Sequence, residues 1–208
     1  MAFNIIASSF EQKEIERAQW QKTAMTGFIF GFVALYFNFV GLMTQFVERW
    51  IIEDVLTLAH VTLMGVALFG GVTIAIRSKD LTTASKIVNG AAVGAMVGIA
   101  LSLLMLFMTQ LNVRFMFVAL SNKLFLFLSW KQGLGGGIAL QIALGAGLGA
   151  LGVIVVTMPK TLRKPLVWAF ASVFFIGLFS ELIQLVMQYE FILGVRDWFF
   201  SWEGQRLQ

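Results

Sequence analysis

Few side chains in the long apolar runs of this sequence carry reactive groups, and the most conspicuous is Glu181. Gln184 follows it by three residues, so the two lie on one face of a helix and form a polar stripe. An acid inside a membrane is costly, which makes it a candidate for solute or proton movement. By helix rise, Asn38 and His60 sit at a comparable depth and complete a predicted intramembrane polar cluster. The alternative is a structural hydrogen-bond cluster, or an acid that reaches the interface.

The single histidine limits the metal chemistry of the chain. Neutral imidazole binds metals, so His60 is a candidate axial ligand for haem or a chlorophyll-type pigment. One His and no Cys leave no multi-histidine or thiolate site within one chain. An intramembrane hydrolase needs a nucleophile and a base, or metal ligands that face each other. We therefore predict no catalytic residues, no metal site and no cofactor, and leave bound lipid or pigment open.

The composition places these residues in a membrane protein. The chain is 59% hydrophobic and 12% charged, whereas soluble domains are roughly 25% charged. A helix needs roughly 20 apolar residues to cross the hydrocarbon core. We predict an all-α polytopic transmembrane helix bundle of about five spans plus a short interfacial helix. The spans are expected near residues 23–47, 55–76, 87–113, 132–158 and 166–189.

The remaining segments are expected at the membrane surfaces. Residues 1–22 mix apolar positions with charges and predict a cytoplasmic interfacial amphipathic segment. Residues 115–130 form a short apolar run that contains Lys123, which indicates an interfacial or re-entrant segment, with a sixth short span as the alternative. Residues 190–208 predict an aromatic tail at the outer interface.

Charge sets the expected orientation. Nine of the 15 Lys and Arg residues fall on the side of the N-terminus if there are five spans, and the first outer loop is acidic. The positive-inside rule therefore places the N-terminus inside. The same basic residues sit at the ends of apolar runs, where they serve topology, so we predict no nucleic-acid partner.

Glycine gives the most regular pattern in the sequence. Gly90, Gly94 and Gly98 recur every four residues in the third predicted span, and Gly145 and Gly149 do so in the fourth. Small residues at this spacing let membrane helices approach closely. The pattern predicts a helix-packing surface, within the chain or with a partner subunit. The alternative is the ordinary abundance of glycine in membrane helices.

A weak internal repeat relates the second and third spans to the fourth and fifth. Gly71 aligns with Gly152, and Lys79 with Lys160, at a single offset. The two hairpins would have the same orientation, as in a parallel repeat. Hairpins with basic turns also resemble each other without duplication.

Four segments of the sequence carry a resemblance to a known family. They read LNVRFMFV at 111–118, QGLGGG at 132–137, GAGLGALG at 145–152 and LRKP at 162–165. With them, roughly residues 65–190 resemble the membrane-embedded N-terminal region of branched-chain amino acid ABC transporter permease subunits from filamentous phototrophic bacteria.

The resemblance implies a non-catalytic permease-type subunit for amino-acid transport in a bacterial cytoplasmic (inner) membrane. Its implied partners are membrane lipids, other membrane subunits of a complex and an ATPase subunit. Such permeases have more spans and a cytoplasmic coupling loop, which this sequence lacks, so the chain alone is not a complete permease. The alternative is an accessory or scaffolding subunit of a photosynthetic or respiratory complex.

Overall fold

The computed structural model describes residues 2–52, 56–78, 81–110 and 122–169, and in addition positions 171, 172, 175 and 179. Six helices and one small hairpin follow in chain order, and residues 160–169 are also helical. Their bounds are α1 (Ala2–Phe39), α2 (Leu42–Phe46), β1 (Trp50–Ile52), β2 (Leu56–Thr57), α3 (Leu58–Arg77), α4 (Thr83–Gln110), α5 (Asn122–Leu128) and α6 (Gly133–Thr157).

Three of the described helices are long and apolar enough to cross a membrane. They are α3 with 20 residues, α4 with 28 and α6 with 25. At 1.5 Å per residue each matches or exceeds the roughly 30 Å of hydrocarbon. The protein is therefore a helical membrane protein. These helices agree with the predicted spans at 55–76, 87–113 and 132–158, whereas a count of five is not confirmed.

The N-terminal third differs from the expectation of an interfacial segment followed by a span. α1 is a single helix from Ala2 to Phe39, with no break near residue 22. Residues 2–26 contain no Gly or Pro, so nothing in the sequence stops the helix there. The break comes instead at Gly41, inside the predicted first span. α1 is longer than the three candidate spans, with 38 residues, but it is not among the helices that are apolar enough to cross a membrane.

The break at Gly41 leads to a prediction. Gly41 has φ 81° and ψ 5°, the left-handed region that costs a residue with a Cβ roughly 1–2 kcal/mol. Gly41→Ala should therefore lower the thermal unfolding midpoint in detergent by several degrees. Gly135→Ala is the matched control, because a Cβ at Gly135 meets no atom within 4 Å. Equal midpoints for the two variants would contradict the strained turn.

A short β-hairpin leads into α3, which a purely helical expectation missed. Trp50 pairs with Thr57 and Ile52 with Leu56 in an antiparallel two-stranded sheet. Aromatic and β-branched residues such as these favour extended backbone. The strands are too short for an alternating pattern to be read from the sequence. The hairpin fixes Thr57 at the position from which it caps α3.

α4 is the central helix of the described bundle. Its glycines face α6, whereas Met96 and Ala100 face Gly27 and Gly31 of α1. Val93 faces Gly70 of α3, and a cluster of buried side chains joins the three helices α3, α4 and α6. α4 therefore has neighbours on three sides.

α4 and α6 run antiparallel. Gly90 faces Gly149 and Gly94 faces Gly145, whereas Gly98 faces Gln141 further towards the start of α6. The end of α4 and the start of α6 consequently lie at the same end of the bundle. α3 begins at that end as well, because His60 in its first turn contacts Phe127 of α5.

Candidate functional site

The glycines at four-residue spacing lie where α4 and α6 touch. A Cβ on Gly94 would overlap the carbonyl oxygen of Gly145, and one on Gly145 would overlap that of Gly94. Gly149 stands in the same relation to the carbonyl of Gly90, and Gly98 to the carbonyl of Gln141. The two backbones are thus in direct contact over more than two helical turns. Such contact is the means by which membrane helices associate without a hydrophobic driving force.

α3 joins this contact through two further glycines. A Cβ on Gly71 would overlap the carbonyl oxygen of Gly149, and one on Gly152 would overlap that of Leu68. Gly149 lies three residues before Gly152, and Leu68 lies three residues before Gly71. The two contacts are therefore equivalent, as a local twofold axis that relates α3 to α6 requires. Gly71 and Gly152 are the residues that the weak repeat aligns. Gly149 faces both α3 and α4, and the three helices meet there.

Two packing glycines on α1 were not anticipated. Gly27 and Gly31 lie against α4, where added Cβ atoms would lie 3.0 Å from the Cβ of Met96 and 3.2 Å from that of Ala100. Their own four-residue spacing was the signal that could have found them. On α6, Gly147, two residues from both Gly145 and Gly149, has open space around it.

The predicted polar cluster is only partly within the described residues. Asn38 is fully buried near the end of α1, and its Nδ2 donates to the carbonyl oxygen of Ala34 at 2.7 Å. His60 is bonded instead to Thr57, so the described residues show no hydrogen bond between Asn38 and His60. Glu181 and Gln184 lie outside the described residues. Their place in a cluster stays a prediction.

Glu181 can be tested directly. If it serves solute or proton movement, Glu181→Gln should abolish activity and leave assembly intact, because amide and acid have nearly the same shape. If it is structural, Glu181→Gln should have little effect and Glu181→Leu should impair assembly, since a buried partner would lose its hydrogen bond. Transport or proton flux and the yield of assembled complex are the two measurements. Full activity and normal assembly in both variants would contradict both roles.

His60 begins α3 in a capping box that fixes its ring. The backbone N–H of Thr57 donates to His60 Nδ1 at 3.3 Å, and Thr57 Oγ1 lies 3.0 Å from the same nitrogen. The backbone N–H of His60 in turn donates to Thr57 Oγ1. A backbone N–H only donates, so Nδ1 is an acceptor and the imidazole is neutral with its proton on Nε2.

This tautomer bears on the axial-ligand hypothesis. A metal takes the lone pair of a ring nitrogen, and in this arrangement Nε2 carries a proton and Nδ1 is occupied by Thr57. Ligation of haem or a chlorophyll-type pigment by His60 Nε2 would therefore require a change of tautomer and the loss of the hydrogen bond from the Thr57 N–H to Nδ1. Among the described residues, no group of three or more His, Cys, Asp or Glu could hold a metal ion.

Two aromatic rings enclose the imidazole. The ring of Phe127 lies 4.2 Å from that of His60, and the ring of Trp130 lies 4.0 Å from it, between centroids. Trp130 follows the end of α5 with φ 53°, a left-handed conformation. Its N–H donates to the carbonyl of Phe127, and the N–H of Lys131 donates to that of Leu126. This is the Schellman pattern, in which glycine usually occupies the position of Trp130.

A cavity of about 20 Å³ lies beside this aromatic group. Its walls come from one face of α3 and one face of α6, and α4 contributes further apolar residues. The principal lining residues of α3 and α6 are His60, Met64, Ala67, Gln141, Leu144 and Leu148. The amide of Gln141 donates to the carbonyl of Leu128 at 2.8 Å. The cavity therefore has polar groups at the end where α3 begins and apolar walls further in.

α5, which supplies Phe127 and is followed by Trp130, is held mainly by apolar burial. Leu124, Phe127 and Leu128 are buried. An exposed ion pair between Lys123 and Glu48 adds a link to the end of α2 and holds the pKa of the Glu48 carboxyl below its usual value. Exposed ion pairs contribute little to stability. The position of the rings therefore depends on the apolar contacts.

Comparison with known proteins gives no match: no known family, no characterised protein and no solved structure matches this chain. The resemblance to branched-chain amino acid permeases consequently stays an expectation from four sequence segments. What can be said of function rests on the described helices. They are three candidate membrane spans in direct backbone contact, with an aromatic-lined cavity at one end.

Proposed function

We propose that this chain is a non-catalytic integral membrane subunit of permease type, which works within a multi-subunit complex in a bacterial cytoplasmic membrane with its N-terminus inside. The observation that carries the proposal is the backbone contact among α3, α4 and α6. Gly149 faces both neighbouring helices, with no space for a side chain. Three spans closed in this way leave no solute path between them, so a path would require other subunits.

The outer surface of α1 supports a subunit role. Met25, Phe28, Phe32 and Tyr36 are 67%, 71%, 61% and 55% exposed, and their spacing places them on one helix face. The opposite face packs on α4 through Gly27 and Gly31. α1 therefore offers a continuous apolar surface to membrane lipids or to another membrane subunit.

The permease assignment rests on the resemblance. The short connections between the described helices limit which role in a permease complex the chain can have. Only residues 78–82 join α3 to α4, and only 158–159 join α6 to the helical residues 160–169. Neither connection has room for a helix that docks an ATPase. In a complex of this kind, another membrane subunit would make the contact with the ATPase subunit.

Residues 115–130 fit an interfacial position in this proposal. α4 ends and α6 begins at the same end of the bundle, so the chain between Gln110 and Gly133 returns to the side it left. A single crossing in this stretch would reverse α6. Two crossings would need roughly 40 residues. An interfacial or a re-entrant segment meets this condition, and only residues 122–130 of the segment are described.

Purification of the native complex under gentle conditions tests the proposal. We expect ATPase and solute-binding subunits to co-migrate with the chain. Pigment-binding or redox subunits in their place would overturn the permease assignment and support an accessory role in a photosynthetic or respiratory complex. A chain that migrates alone after gentle extraction would contradict the subunit role itself.

A further inference from the structure

Two buried N–H groups beside the cavity have no hydrogen-bond partner among the described residues. They are Nε2 of His60 and Nε1 of Trp130, and both residues line the cavity. An indole N–H is only a donor. The bond from the N–H of Thr57 to His60 Nδ1 makes Nε2 a donor as well. Buried donors are nearly always paired in native proteins, so two at one place indicate a ligand that supplies an acceptor.

The backbone of Trp130 points to the same place. A bulky residue in the left-handed region is strained, and glycine would occupy this position without strain. Strained residues cluster at functional sites, where the surrounding structure holds them. Here the strained conformation places the indole ring 4.0 Å from the ring of His60. The strained conformation therefore accompanies the close approach of the two rings that carry the unpaired N–H groups.

The shape of the cavity restricts the ligand further. His60, Met64 and Ala67 line the cavity from one face of α3. From His60 to Ala67, this wall extends roughly 10 Å along the helix axis. Leu144 and Leu148 extend the apolar wall on α6. α3 is about as long as the hydrocarbon core is thick, and His60 lies in its first turn. The donors are thus at the depth where apolar chains meet polar head groups, with apolar wall below them.

We propose that this cavity binds an acyl chain that ends in a carbonyl or carboxylate oxygen. The oxygen accepts hydrogen bonds from His60 Nε2 and Trp130 Nε1, and the chain runs between α3 and α6 towards Ala67. The volume of about 20 Å³ has room for one oxygen-sized group, so Met64, a flexible side chain, turns aside to admit the chain. The oxygen belongs either to the ester of a membrane lipid or to a free aliphatic carboxylate. This site is independent of any permease activity.

Decanoate is the probe for the acceptor. The full chain, with ¹⁵N-labelled tryptophan and in a sugar-based detergent, has six indole N–H signals in an NMR spectrum, and the signal lost in Trp130→Phe identifies Trp130. Decanoate should shift that signal saturably. Decylamine, which has the same chain length and no acceptor oxygen, should bind at least tenfold more weakly. The proposal would be overturned if decanoate did not shift the Trp130 signal, or if decylamine shifted it at the same concentrations.

Native mass spectrometry separates the two sources of the oxygen. Trp130→Phe keeps a six-membered aromatic ring beside His60 and removes the part of the indole that carries the N–H, so binding should weaken about three- to tenfold. Trp20→Phe, at an exposed tryptophan, is the control. A single phospholipid that stays bound to the purified protein, and less so in Trp130→Phe, identifies the lipid ester. Decanoate binding without a retained lipid identifies the free carboxylate. Equal binding by the wild type and Trp130→Phe would contradict both.

Discussion

Gly149→Ala is expected to destabilise the protein strongly, because Gly149 lies where α3, α4 and α6 meet. Gly149 faces the carbonyl of Gly90 on α4, and Gly71 of α3 lies against its own carbonyl. A methyl group on Gly149 would overlap the carbonyl oxygen of Gly90, so α6 must move away from α4, and the contact of α3 with the Gly149 carbonyl must adjust to that movement. Overpacking of this kind costs about 1–3 kcal/mol or more. Thermal unfolding in detergent, followed by the loss of helical signal, measures the change.

Gly147→Ala is the matched control, with the same substitution two residues away on α6. A Cβ at Gly147 meets no atom within 4 Å, and alanine is the better helix former by about 1 kcal/mol. The control should be as stable as the wild type or slightly more so. If Gly149→Ala and Gly147→Ala unfold at the same temperature, α6 does not touch α3 and α4 as described. The backbone contact among the three helices would then be wrong.

The second large effect is all-or-none labelling of single cysteines. The chain contains no cysteine, so each introduced thiol is the sole target of a maleimide. Ser78 follows α3 and Gln132 precedes α6. α3 and α6 begin at the same end of the bundle, so the residue after α3 and the residue before α6 lie at opposite ends. With the N-terminus inside and α1 crossing the membrane as predicted, a membrane-impermeant maleimide should label Gln132→Cys in intact cells and Ser78→Cys only after permeabilisation.

The two labelling patterns separate errors in orientation from errors in fold. The wild-type chain is the background control, and labelling of both variants after permeabilisation shows that each thiol is accessible. Labelling of Ser78→Cys alone in intact cells would reverse the orientation and leave the bundle intact. Labelling of both variants in intact cells would mean that α3 and α6 do not cross the membrane as spans.

Much of the fold follows from the sequence because membrane spans are local features. An apolar run of roughly 20 residues has no other way to satisfy its backbone in lipid than to form a helix. α3, α4 and α6 agree with predicted spans for this reason. Glycine spacing is local as well, and it singled out Gly90, Gly94 and Gly98 as one face of a helix.

Other features could not be predicted from the sequence because they depend on a single residue or on a distant contact. The left-handed turn at Gly41 interrupts an otherwise uniform apolar run, and the length of charge-free sequence gave no sign of it. The strands at Trp50–Ile52 and Leu56–Thr57 are too short for periodicity to be seen. Asn38 and His60 were grouped by depth alone, although the nearest partner of each lies within four residues on its own stretch of chain.

The sequence by itself determined that this protein is a membrane-embedded helical bundle with glycine faces on its spans. Only the tertiary structure decided that Gly149 is where three helices meet, and that Trp130 reaches His60 across 70 residues of sequence. Helix formation in lipid is driven within each segment by its own backbone hydrogen bonds. The choice of neighbours is made by the shapes of whole helix surfaces, and a spacing read along one helix does not contain that information.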